Sequence, residues 1–201
     1  GIRCFAHYCR DHKIRMGDAY PVKTLAGDMV VEVKSTDPFR VQIDMGCPIF
    51  DPAAVCVESD APDLLDLELS LKDGNTLTVS SLFMGTIHTV LFVDDVEADW
   101  IETLGEEICN APTFAEKTNV NFVKVLDDHT LQMITYERGV GMTQACGTGA
   151  CASVVTAARK GLCSRTAEVI LPLGSLKIEI KDDGHVMMEG PSVHVLEGKL
   201  Y

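Results

Sequence analysis

The chain has 201 residues, 46% of them hydrophobic, which suits one large domain or two small ones with a packed core. Seventeen basic residues against 30 acidic ones leave a formal charge of −13, which argues against nucleic acid or an anionic membrane as partner. The eight cysteines form no CxxC pair and the six histidines lack zinc-finger spacing, so free thiols in a reducing, cytoplasmic setting and no structural metal are expected.

In chain order, the opening "GIRCFAHYCRDHKI" places Ile2, Phe5, Ala6 and Cys9 at helical spacing, predicting a helix from Ile2 to about Lys13. It has no initiator methionine and no Ser, Thr, Asp or Asn cap, so the chain is expected to begin at the mouth of a helix and to lack an N-terminal part. Strands follow at "VKTLAGDMVVEVKS" and "FRVQIDM". Pro48, Pro52 and Pro62 mark 47–63 as irregular. "LDLELSL" alternates, with Leu65, Leu67, Leu69 and Leu71 on one face. "TLTVSSLFMG" and "HTVLFVDD" are further strands. A helix is predicted over Asp99–Cys109, capped by Asp99. "VNFVKVLDD", "TLQMITYE", "AEVILP", "LKIEIK", "HVMMEG" and "VHVLEG" complete the strands, with turns at Asp73-Gly74-Asn75, Asp127-Asp128-His129 and Asp183-Gly184-His185. A third helix is predicted from about Gly149 to Lys160, stopping at Gly161. The first and third helices are both glycine-initiated and basic in the last turn, a faint internal echo.

The stretch "YERGVGMTQACGTGACASVV" carries the chemistry. Cys146 stands at the start of the third helix, where unpaired N–H groups and the helix dipole favour a thiolate. The same N–H groups, on Gly147, Thr148 and Gly149, suit a carboxylate or phosphate. Glu137 and Arg138 end the strand that enters this turn, adding an acid and a bidentate anion clamp.

"ERGVGMTQACGTGACAS" resembles the C-terminal active-site signature of the diaminopimelate epimerases. The rest of the chain resembles the family in order: "GIRCFAHYCRDHK" its first cysteine-motif helix, "FMGTIHTVLFVDD" its Gly-Asn-Pro-His strand, "EKTNVNFVKV" its Arg-Thr-Asn-Val segment, and "MEGPSVHVLEG" its closing strands. The resemblance implies a cofactor-independent isomerase of the lysine and peptidoglycan pathways, working on diaminopimelate and often dimeric. One cysteine thiolate removes the α-proton and a second thiol returns one to the other face. It implies Cys146 as one acid/base, His88 as its partner, and Glu137 as an acid serving the other cysteine and the substrate amino group. Arg138 and Asn119 are implied at the distal end of the substrate, and Gly147 and Thr148 as a backbone cradle for the α-carboxylate. No metal or other cofactor is implied.

The implied fold is α+β: two pseudo-symmetric modules of mostly antiparallel strands, each wrapped around a central helix, with the site in the cleft between them. Residues 1–43 would be the remnant of the first module, 44–190 the second, and 191–201 a closing strand. The family's first catalytic cysteine would lie three residues ahead of Gly1, so these residues alone are expected to be inactive. Thr86 and Ile87 stand where the family has asparagine and proline, and Met142 where glutamate is frequent. Thr86 favours an alternative, a related racemase of another amino acid such as histidine. A non-catalytic binding fragment is a third reading.

Overall fold

The computed structural model describes residues 1–14, 17–24 and 27–199. Helix α1 (Ile2–Asp11) starts at Gly1 and turns Ala6 and Cys9 inward. Strands β1 (Ala19–Thr24) and β2 (Gly27–Thr36) form an antiparallel hairpin. The stretch expected as one strand is therefore two, and Leu25 and Ala26, which join them, lie outside the described residues. Gly27, at φ +114°, supplies the backbone freedom for the reversal. Strand β3 (Phe39–Asp44) follows, antiparallel to β2.

After the proline-marked irregular stretch come β4 (Leu67–Ser70), β5 (Thr76–Phe83) and β6 (Ile87–Phe92). Helix α2 (Ile101–Cys109) begins two residues later than expected, with Trp100 rather than Asp99 at its cap. Strands β7 (Asn119–Asp127), β8 (Thr130–Glu137) and β9 (Gly141–Thr143) lead into α3 (Gly147–Arg159). Helix α3 starts at Gly147, not Gly149, which makes Cys146 itself the cap residue. Strands β10 (Thr166–Leu171), β11 (Gly174–Ile180) and β12 (Val186–Pro191) close the sheet.

The strands form one sheet in the order β1-β2-β3-β12-β11-β10-β8-β7-β6-β5-β4, with β9 added on β8. Pairing is antiparallel except at β8–β10 and β6–β7. Strand β12 pairs with β3, so the first strands and the later ones share a single ladder. The architecture is α+β. The segment 192–199, expected as a closing strand, carries no ladder. Ser192 still donates to the Phe39 carbonyl at 3.3 Å. Beyond it Val193, Val195 and Leu196 are 76–84% exposed, and among the described residues no neighbouring strand satisfies the backbone of this segment. Leu200 and Tyr201 lie outside the described residues.

Two apolar clusters lie on opposite faces of the strands β5–β8. One surrounds α3 and takes in Val41, Ile43, Leu131, Met133, Val169 and Ile178. The other packs α2 against Val79, Leu91, Val120 and Phe122. Every residue of α3 from Gly149 to Ala157 is buried, which small side chains permit because strands approach the helix on all sides. Alternation along the strands assigns the polar residues to faces. Val90, Val123, Leu131 and Met133 face α3, so His88, Asn119, Asn121, Thr135 and Glu137, an even number of positions away on the same strands, point to that side too. No helix among the described residues is long and apolar enough to cross a membrane.

Candidate active site

Cys146 has an extended backbone (φ −133°, ψ 104°), the geometry of a residue that caps a helix from outside it. Its carbonyl accepts the first intrahelical bond, from Ala150 N–H, at 2.9 Å. Its sulfur, 3.6 Å from Thr148 Oγ1, also meets the N–H groups of Thr148 and Gly149. The side chain is buried, with 7% exposure. Burial raises the thiol above its ordinary value, and the negative charge of Glu137 adds to the rise; the Thr148 hydroxyl and the two N–H groups pull the other way. The lowered value expected from the helix N-terminus is therefore not what this structure has. A thiolate at this depth loses more hydration than the helix mouth returns.

His88, on β6, is fully buried. Thr148 stands between it and the Cys146 sulfur, with His88 Nε2 3.0 Å from Thr148 Oγ1. The Thr148 hydroxyl thus links His88 to Cys146. Burial first, then the positive charge of Arg138, lowers His88 from its ordinary 6.5 to about 3. The ring is neutral near pH 7.

This has a consequence for folding. The unfolded chain takes up a proton on His88 near pH 6.5, whereas the folded chain does so only near 3. The unfolded state binds more protons between these values, so the contribution to stability is fully present above about 6.5 and is lost as pH falls toward 3. The urea midpoint is expected to drop between pH 7 and pH 4, and to drop less in His88→Gln. Equal drops would show that His88 does not carry the effect.

Glu137 ends β8 half-buried, and its Oε1 accepts a hydrogen bond from Thr143 Oγ1 at 2.6 Å. Arg138 is exposed. Its Nη1 donates to the Glu116 carbonyl at 2.8 Å and its Nη2 to Thr86 Oγ1 at 3.2 Å. Asn119 is held by main chain at both ends of its amide: Oδ1 accepts from Arg138 N–H at 3.0 Å, and Nδ2 donates to the Ile87 carbonyl at 3.1 Å. It fixes the Arg138 backbone from a position only 5% exposed, so its geometry is that of a bracket for Arg138 rather than of a free ligand contact. Met142 packs against the α2 cluster.

The first turns of α1 and α3 meet at Met188 on β12. Arg3 Nη1 is 3.8 Å from its sulfur, and a Cβ added at Gly147 would lie 2.9 Å from the same atom. A cleft of about 800 Å³ lies elsewhere, between α1 and 192–199, and none of Cys146, His88 and Glu137 lines it.

Sequence reading missed Asn121, Thr135, Thr143 and the side-chain role of Thr148. A signal was present: Asn119 and Asn121 stand two apart in the apolar strand "NVNFVKV", and asparagine is depleted in strands unless it has a partner.

The family model described as diaminopimelate epimerase matches residues 80–195. A diaminopimelate epimerase of Halothermothrix orenii is 40% identical over the whole of this chain, which covers 71% of that protein. One of Ectopseudomonas mendocina is 37% identical, again over the whole chain and 71% of its own length. Among solved structures, a hydroxyproline epimerase from Agrobacterium vitis superposes with a TM-score of 0.69 at 15% identity; the match covers 94% of this chain and 62% of that one. A phenazine biosynthesis protein of the PhzF family from Bacillus anthracis gives a TM-score of 0.60 at 12% identity, over 98% of this chain and 73% of that one. At these identities the two structures speak for the fold.

Proposed function

We propose an activity from one premise: this chain belongs to the diaminopimelate epimerase family. The protein interconverts L,L- and meso-diaminopimelate by proton transfer at the α-carbon, serving lysine and peptidoglycan precursor synthesis. The observation that carries this reading is the Cys146 sulfur at the N-terminus of α3, in reach of Thr148 and under the influence of Glu137.

In the forward step the Cys146 thiolate takes the α-proton, so an S–H bond forms as the C–H bond breaks, and the electron pair stays on the α-carbon. A second thiol gives its proton to the opposite face. The N–H groups of Gly147 and Thr148, at the positive end of α3, hold the α-carboxylate and stabilise the charge that develops beside it. Glu137 meets the substrate amino group. Arg138, oriented by Thr86, Asn119 and the Glu116 carbonyl, clamps the distal carboxylate. The first turns of α1 and α3 both lie against Met188, which supports a site shared by the two helix mouths.

A polypeptide limited to these 201 residues is expected to give no inversion of either isomer in D2O, because it brings one thiol to the site. Extension by Cys-Gly-Asn at the start, with the strands that support it, is expected to give α-deuterium incorporation with inversion. Inversion by the 201 residues alone would overturn the two-thiol reading. Turnover of another amino acid from a panel, and none of diaminopimelate, would favour the alternative racemase, for which the shorter Thr86 at the distal end is the supporting observation.

A further inference from the structure

The hydrogen-bond directions around His88 can be read from one end to the other. The Thr135 hydroxyl donates to Asn121 Oδ1 at 3.0 Å. Asn121 Nδ2 donates to the Thr89 carbonyl at 3.2 Å. A carbonyl only accepts, so the Thr89 carbonyl fixes the amide orientation, and the Thr135 hydroxyl, which can donate or accept, suits it. The same Nδ2 lies 3.1 Å from His88 Nδ1. A donor amide leaves that ring nitrogen without a proton, and in a neutral ring the proton is then on Nε2. Nε2 faces the Thr148 hydroxyl at 3.0 Å and donates to its oxygen. The hydroxyl proton is left to point at the Cys146 sulfur, 3.6 Å away.

We infer that Asn121 is a positioning residue that sets His88 as its Nε2–H tautomer, so that His88 and Thr148 form a one-way chain of donors ending on the Cys146 sulfur. This rests on the proposed acid/base role of Cys146 and extends it to the buried residues behind the sulfur. His88 then does not accept the Cys146 proton: Nε2 already carries one, and the Nδ1 lone pair is turned to Asn121. The chain favours the thiolate by hydrogen bonding to it. Protons reach and leave the sulfur on its substrate side, where Glu137 is the carboxylate that influences it. Gly149 has the matching shape. A Cβ there would overlap Asn121 Oδ1, so the helix start can close onto the amide only without a side chain.

The test uses the full chain, with 15N-labelled histidine and His88→Gln to assign the ring signals. The charged or titratable groups that face His88 are Arg138 and, across Thr148, Cys146. Between pH 5 and 8 the His88 nitrogens are expected to show a bare Nδ1 and a protonated Nε2, without titration. A protonated Nδ1 would overturn the inference. In Asn121→Asp the donor becomes an acceptor, and a proton is expected to appear on Nδ1; its continued absence would also overturn the role of Asn121. Thr148→Val is expected to slow alkylation of Cys146 by iodoacetamide by about tenfold, and Thr148→Ser to restore it. Equal rates in all three proteins would remove the chain's link to the sulfur. None of these readings needs turnover, so a failure here is distinguishable from a failure of the epimerase activity.

Discussion

Cys146→Ala, made in a protein that carries both thiols, is expected to lower conversion of L,L- to meso-diaminopimelate by on the order of 10²–10⁴-fold. The loss should fall on kcat more than on KM. The α-carboxylate cradle is backbone, from Gly147 and Thr148, and the distal clamp is Arg138, so the groups proposed to bind the substrate survive the substitution. The change is small and buried, and helix α3 keeps its enclosing contacts, so the thermal midpoint should move little. Activity within a few-fold of the parent would mean that the proton is carried by another group and that the sulfur is a packing atom. Epimerisation followed by circular dichroism, beside a thermal melt of the same samples, separates the two outcomes.

Gly149→Ala is expected to damage both the fold and the site. Its added carbon would overlap Asn121 Oδ1 and come within 3.2 Å of the Cys146 sulfur. Asn121 cannot yield freely, because Thr135, Thr89 and His88 hold it. Overpacking of this kind costs at least about 1–3 kcal/mol, and the displaced amide leaves buried polar groups unpaired. Gly147→Ala is the internal control. Its carbon would meet the Met188 sulfur at 2.9 Å, the adaptable end of a long side chain, so a smaller loss is expected there. Thermal midpoints of the two variants, compared with the rate of Cys146 alkylation, decide the matter. Equal losses at the two positions would show that the contact with Asn121 is not the cause.

The site's chemistry was legible where local rules suffice. A cysteine ahead of Gly-Thr-Gly and a run of small residues announces a helix mouth, and Glu137-Arg138 marks the strand end beside it. The hairpin turns were equally plain: Asp73-Gly74-Asn75 and Asp183-Gly184-His185 each join antiparallel neighbours, with their glycines at positive φ. The failures share a cause. Val22 to Ser35 alternates well enough to read as one strand, because alternation is unchanged by a two-residue reversal. The segment 193–198 has the composition of a strand, but a strand needs a neighbour, and composition says nothing of neighbours.

The chain's own order of residues determined the helix that Cys146 caps, the alternation that turns His88, Asn121 and Thr135 to one side of the sheet, and the acidic surface that disfavours polyanions. Those properties depend on local geometry and summed charge, and both are present in a linear string. Tertiary structure alone decided that Asn121 lies opposite Thr135 and one hydrogen bond from His88, that Thr148 links His88 to the sulfur, and that burial holds the thiol above its ordinary value. Strand register, tautomer and desolvation arise from contacts between residues tens of positions apart. They take values only once the sheet has closed around α3.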